Sequence, residues 1–200
     1  MLERASAIEG FTKVSELEFL CDIAGAMPDG ASVVEIGSFK GRSTVAICEG
    51  IGAKPGVTVW AVDTFAGDSD VVEITGGPVD QEAVEAEFAR NTAGYDFLRV
   101  IVAESVAAAE QFDRESLDWV FIDADHSYEA VVADIAAWAP KLKPGGLLSG
   151  HDYGRAGVTD AVRRSFRAVD QAASIWYTRE RPRPQYLRSL KIAVRRALPH

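Results

Sequence analysis

Short runs rich in Val and Ile, each bounded by Gly, Pro or Asp, alternate along the chain with stretches of helical periodicity. That alternation predicts a parallel sheet with helices packed on its faces. Strands are expected at Ser32–Ile36, Val57–Val62, Phe97–Val102, Leu117–Ile122 and Gly146–Ser149, with a less regular one at Ser174–Thr178. Most of these runs are apolar throughout, the pattern of strands covered on both sides. Helices are expected at roughly 12–22, 41–52, 80–92, 105–112, 127–139 and 157–169. In the fifth, Val131, Ile135 and Trp138 fall on one stripe, and Ser127 or Asp125 can cap its start. The expected architecture is a doubly wound α/β domain over 1–178, with a mostly parallel sheet of six or seven strands, followed by a basic C-terminal extension at 179–200.

Two hundred residues, 48% of them hydrophobic, suffice for a sizeable core. The start of the chain lacks the basic head and apolar stretch of a secretory signal, and no run approaches the ~20 apolar residues of a membrane span. A cytoplasmic location is expected. Cys21 and Cys48 lie within predicted helices and outside any metal-ligand spacing, as reduced core residues would. The formal charge of -9 argues against nucleic acid as a partner, because phosphate contacts need a basic surface.

That charge is unevenly spread. Residues 179–200 hold seven Lys or Arg and one acid, a net of +6 that leaves -15 on the rest. Arg181-Pro182-Arg183-Pro184 should be extended, since each proline disfavours helix in the residue before it. From Gln185 an amphipathic basic helix is expected, with Tyr186, Leu190, Val194 and Ala197 on one side. Such a tail can pack on its own acidic protein, dock an acidic acceptor or touch an anionic membrane surface. Between strands two and three, Thr64–Pro78 is long and rich in glycine and acids, suiting either a lid over a site or a solvated insertion.

Strand one runs directly into Glu35-Ile36-Gly37-Ser38-Phe39-Lys40-Gly41, and a helix follows. Glycines there let a ligand approach the backbone, and the helix start offers unpaired N–H groups and a positive dipole end. The spacing Gly-x-x-x-Gly differs from the Gly-x-Gly-x-x-Gly of nicotinamide dinucleotide sites. Asp63 ends strand two, where a carboxylate can accept both hydroxyls of a ribose. Two acids at adjacent strand ends beside a glycine turn describe a nucleoside pocket.

A second cluster follows strand four. Asp123, Asp125 and His126 come just after an apolar run, and His151-Asp152 ends strand five. Buried charges require partners, and ligands of open parallel sheets bind beyond the carboxyl ends of the strands, so Asp123, His151 and Asp152 are expected in one crevice. His126 could act chemically or cap a helix, and Tyr153 could shape an acceptor pocket or pack.

The stretches VVEIGSFKGRST, VWAVDTF, VAES, WVFIDADHSYEAVVADI and LKPGGLLSGHDY resemble, in order and spacing, the motifs of class I S-adenosylmethionine-dependent methyltransferases. The resemblance covers roughly residues 12–170 and is nearest to small cation-dependent O-methyltransferases of the caffeoyl-CoA and macrocin types. It implies a Rossmann-like fold and an S-adenosyl-L-methionine site. Gly37 and Gly41 would border the methionine part with Glu35 close by, Asp63 would hold the ribose hydroxyls, and Glu104 or Ser105 would sit beside the adenine; Ser38, Ser43 and Thr64 are further cofactor-binding candidates. Asp123 and Asp125 would border the cofactor as well.

The resemblance further implies a divalent cation at Asp123, His151 and Asp152, the same residues being the catalytic candidates. Those families carry Asp-Asn or Asp-Asp where this chain has His-Asp. Imidazole favours Mn, Fe, Co or Zn over Mg. A metal-free alternative makes His151 the general base for a hydroxyl. The expected reaction is O-methylation of a small-molecule acceptor, a sugar or secondary metabolite. Self-association and weak membrane-surface contact of the tail are further expectations, and a non-catalytic nucleoside-binding protein is the competing reading.

Overall fold

A computed structural model describes residues 2–67, 72 and 77–183 of the chain. The fold is α/β, with a seven-stranded, mostly parallel sheet. The chain divides into two compact units, Met1–Ser105 and Val106–His200.

The first unit opens with α1 (Glu3–Ala7) and α2 (Val14–Gly25), followed by β1 (Ser32–Ile36), α3 (Arg42–Ile51), β2 (Thr58–Asp63), α4 (Gln81–Asn91) and β3 (Leu98–Val102). Its strands are parallel in the order β3-β2-β1, with Val34 opposite Trp60 and Ala61 opposite Val100. Glu16 accepts the Lys13 N–H at 2.8 Å and so fixes where α2 begins. Asp80 caps α4 by accepting the Ala83 N–H. Leu17, Leu20, Cys21 and Ala24 of α2 are buried, as are Val45, Ala46, Ile47 and Cys48 of α3. Each large apolar side chain so buried contributes about 1.5–3 kcal/mol. Both cysteines are free thiols, and burial pushes the Cys48 thiol far above its ordinary range.

β3 departs from the expectation of coverage on both sides, for Val100 and Val102 are 46% and 48% exposed. Its partner in the unit is β2 alone, so these valines sit on an outer strand. α1 was not expected from the sequence; its Ala5 joins Ile8, Leu17, Val45 and Ala46 in one cluster. Of the Thr64–Pro78 insertion, 68–71 and 73–76 lie outside the described residues, and with them the lid expectation.

α5 (Ser105–Ala109) leads to β4 (Leu117–Ile122), α6 (Tyr128–Trp138), a 3-10 turn at Ala139–Lys141, β5 (Leu142–Gly150), α7 (Ala156–Ser165), β6 (Asp170–Ala172) and β7 (Ile175–Thr178). The second unit's strand order is β4-β5-β7-β6, with β4 and β5 parallel and β7 antiparallel to both its neighbours. α6 buries Val131, Ile135 and Trp138 as its periodicity requires, and Ser127 is its cap. β5 starts at Leu142, earlier than expected, because a register shift lets Leu142 pair with Leu117 before Leu147 meets Trp119. α7 stops at Ser165, short of the expected 169: Phe166 turns extended and packs its ring 6.0 Å from that of Trp176. The residues after it form β6, too polar to read as a strand from sequence and made one by pairing with β7.

At the chain's far end, Arg181-Pro182-Arg183 is non-helical, as the prolines demand. Arg181 donates to the Ala139 carbonyl at 3.0 Å and the Arg183 N–H to the Ser165 carbonyl at 2.9 Å. The basic helix expected from Gln185 lies outside the described residues. Among the described residues no helix is long and apolar enough to cross a membrane.

Candidate functional site

In the first unit the glycine turn is held from both sides by carboxylates. Glu35, fully buried at the end of β1, accepts from the Ser38 hydroxyl at 2.9 Å and from the Thr44 hydroxyl. It thereby ties strand, turn and helix together. Asp63, ending β2, accepts the N–H groups of Ser38 and Phe39 on Oδ2 at 2.6 and 2.7 Å, and that of Phe65 on Oδ1 at 2.7 Å. Phe39 and Phe65 both have left-handed backbone, φ 44° and 57°. Such conformations cost on the order of 1–3 kcal/mol each in a bulky residue. Charge-assisted hydrogen bonds of about 1.5–3 kcal/mol each offset that cost.

Gly41 completes the corner. At φ 89° it is the N-cap of α3, so a side chain there would be strained, and its Cβ would crowd the Thr92 methyl at 3.0 Å. Its N–H donates to the Ser38 carbonyl, and the Gly37 N–H to the Val62 carbonyl. Ser43 is buried in the first turn of α3, Thr64 and Ser105 are half-buried and Glu104 is exposed.

The corner suits a nucleoside with an anionic or zwitterionic arm, which would meet the start of a ten-residue helix. Asp63, however, already serves three backbone donors. A carboxylate offers about four lone-pair sites, so while it holds the corner it has one left, on Oδ1. That site is what Asp63 has left for a ligand donor.

Two features of this unit escaped the sequence reading. Arg42, first residue of α3, donates to the carbonyls of Ser6, Ile8 and Thr12 and straps the N-terminal segment down. Phe11 in that segment stacks on Phe39, centroids 5.7 Å apart, while remaining 51% exposed.

In the second unit the structure brings Asp123, His151 and Asp152 together at the ends of β4 and β5. The His151 N–H donates to the Ile122 carbonyl at 2.9 Å, which pins the loop. His151 is only 8% exposed. Its Nδ1 lies 3.1 Å from Asp152 Oδ2 and 3.5 Å from Asp123 Oδ1, and its Nε2 lies 3.1 Å from the Ser174 hydroxyl. Asp152 has left-handed backbone, φ 56°. Burial alone would raise its pKa, but hydrogen bonds from His126 and His151 outweigh that and hold it far below the usual carboxylate range.

Asp125 accepts the Ser127 N–H at 2.6 Å, shaping its own turn. Tyr153 is half-buried, and its N–H donates to the Ser174 carbonyl. His126, left open between two roles by the sequence, joins the cluster with Nε2 2.8 Å from Asp152 Oδ2. Ser174 and Arg155 were missed, and nothing in their neighbours marks them; the turn after β6 and the start of α7 carry them in from 23 and 29 residues away.

A mixed set of carboxylate oxygens and imidazole nitrogens is a donor set for a divalent ion. Donor atoms of Asp123, His126 and Asp152 lie within 4.8 Å of one another, so in this grouping His126 stands where the sequence reading had His151, whose Nε2 lies beside the Ser174 hydroxyl. Imidazole would favour Mn, Fe, Co or Zn over Mg.

Residues 34–153 match the protein family described as "Methyltransferase domain". An uncharacterized protein, y4gI of Sinorhizobium fredii, is 30% identical over 121 residues, which are 60% of this chain. The match spans 13% of that relative's length. Among solved structures, a Corynebacterium glutamicum protein superposes with a TM-score of 0.62 at 17% identity, covering 84% of this chain and 81% of that one. Cofactor-bound Rv0187 from MTB gives 0.62 at 19% identity, covering 90% and 86%. The SAM-dependent O-methyltransferase TM0748 of Thermotoga maritima gives 0.59 at 14% identity, covering 82% and 56%.

Proposed function

Because the chain belongs to the methyltransferase-domain family, we propose that it is an S-adenosylmethionine-dependent O-methyltransferase acting on a hydroxyl of a small molecule, a sugar or secondary metabolite. The observation that carries the acceptor side is the His151 imidazole held between two carboxylates and a hydroxyl. Cofactor recognition falls to the corner built by Glu35, Gly37, Ser38, Gly41, Ser43 and Asp63, with Thr64, Glu104 and Ser105 as further candidates.

S-adenosylmethionine, when bound, supplies a methyl group on a sulfonium. An alcohol is a poor nucleophile until it loses its proton, and the chain's own residues serve that end. Neutral His151, with its proton on Nδ1 toward Asp152, presents the Nε2 lone pair to the Ser174 hydroxyl. A proton from an acceptor hydroxyl reaches Nε2 at that position, directly or through Ser174. Asp152 and Asp123 then face the imidazolium and stabilise its charge. A divalent ion held by Asp123, His151 and Asp152 would instead polarise the acceptor oxygen.

That Rv0187 has been solved with its cofactor and that TM0748 is a SAM-dependent O-methyltransferase support the cofactor and the acceptor atom. Calorimetry with S-adenosylhomocysteine, followed by methyl transfer to a panel of hydroxyl compounds with and without chelator, tests the reading. Absence of adenosyl-ligand binding would refute it, and chelator sensitivity separates the two ways of activating the hydroxyl.

A further inference from the structure

By distance alone His126 belongs with the metal-ligand candidates, for donor atoms of Asp123, His126 and Asp152 all lie within 4.8 Å of one another. Its ring chemistry says otherwise. Arg155 Nη1 is 2.9 Å from His126 Nδ1. A guanidinium has only donors and stays protonated, so Nδ1 must be the acceptor. A neutral imidazole accepting at Nδ1 carries its proton on Nε2, the nitrogen 2.8 Å from Asp152 Oδ2. A protonated nitrogen has no lone pair to give a cation. For Nε2 to ligate, the proton would have to move to Nδ1, where it would point at the guanidinium.

Backbone contacts hold this juxtaposition in place. A Cβ on Gly157, in the first turn of α7, would lie 2.4 Å from the His126 carbonyl oxygen and 3.0 Å from the Tyr128 nitrogen, so the helix start rests directly on the His126 loop. The Arg155 N–H donates to the Asp152 carbonyl at 3.0 Å. Arg155 is therefore fixed relative to both His126 and Asp152 before its side chain makes any contact.

We infer that Arg155 locks the ring proton of His126 on Nε2, which removes His126 from any metal's ligand set and leaves that nitrogen, proton-bearing, beside the Asp152 carboxylate. Arg155 is then a positioning residue acting through His126 and Asp152 on His151. Its catalytic consequence rests on the proposed use of this cluster for the acceptor hydroxyl; the proton's location does not.

The test uses the full chain labelled with ¹⁵N-histidine, its ring resonances assigned by His126→Ala and His151→Ala. Long-range ¹H–¹⁵N correlation should show His126 protonated on Nε2 in the wild type and in Arg155→Lys, and shifted toward Nδ1 in Arg155→Ala. Zn²⁺ alone, titrated calorimetrically, should bind His126→Ala as it binds the wild type, within about threefold. Arg155→Ala should bind it at least tenfold more tightly, about 1.4 kcal/mol, and lose that gain when His126→Ala is added. An Nδ1-protonated His126 in the wild type, a tenfold weakening of Zn²⁺ binding by His126→Ala alone, or no gain in Arg155→Ala would each overturn the inference. Neither readout involves methyl transfer, so failure here and failure of the proposed activity are separable.

Discussion

Asp63 holds the N–H of Phe39 at 2.7 Å, so a carboxylate at the end of one strand enforces left-handed backbone in the turn that follows its neighbour. The corner is thus shaped by a side chain rather than by glycine alone. Asp63→Asn replaces one oxygen with a donor that would face backbone N–H groups. Leaving such groups unpaired costs about 1–3 kcal/mol, so the variant should lose about 2 kcal/mol in urea unfolding. Its calorimetric affinity for S-adenosylhomocysteine should fall by tenfold or more. A variant that binds as well as the wild type would separate the corner from cofactor recognition.

His151→Ala should lower turnover by about 10²–10⁴, the usual contribution of a positioned general base, while cofactor affinity stays within a few-fold. Single-turnover kinetics beside calorimetry make the distinction. Loss of both together would place His151 in cofactor binding.

Ser174→Ala removes the hydroxyl facing His151 Nε2. Turnover should drop by roughly tenfold if Ser174 passes the proton, with little change in melting temperature because the residue is only half-buried. Equal turnover in the two proteins would show that the acceptor reaches the imidazole directly.

The lowered pKa of Asp152 has a definite sign. A carboxylate depressed in the folded state contributes stability that is fully present above its unfolded value of about 3.9 and is lost as the pH falls through the folded value. Asp152→Asn should therefore be less stable than the wild type from pH 5 to 8, and the gap should close only in acid well below pH 4. Thermal melts across that range check it; equal stability of the two proteins from pH 5 to 8 would contradict the hydrogen bonding of Asp152 by His126 and His151.

Trp176, fully buried against Phe166, anchors the β6–β7 hairpin that carries Ser174. Trp176→Ala should cost about 3–5 kcal/mol, measurable by denaturant unfolding. A loss under 1 kcal/mol would mean that the hairpin is held by its backbone pairing alone.

Elements built from local chemistry were legible in the sequence. β1 and β4 have the bounds that their apolar runs imply, and the glycine turn with its two strand-end acids sits as the spacing suggests. β6 was not legible, because Asp170-Gln171-Ala172 becomes a strand only through its partner β7. The exposure of β3's valines follows from its outer position, which composition does not encode. Asp123, His151 and Asp152 could be grouped because strand ends converge in this architecture. His126, Arg155 and Ser174 come from turns whose side-chain directions depend on packing, and so do the three backbone donors that Asp63 accepts from.

Cys48 gives α3 a chemical timer. Its thiol is sealed within the helix that begins at the glycine corner, and burial keeps it from ionising. Only the thiolate attacks an alkylating reagent, so modification must wait until that helix lifts away. The labelling rate therefore reports how often the corner comes apart, and a ligand that grips the corner will slow it.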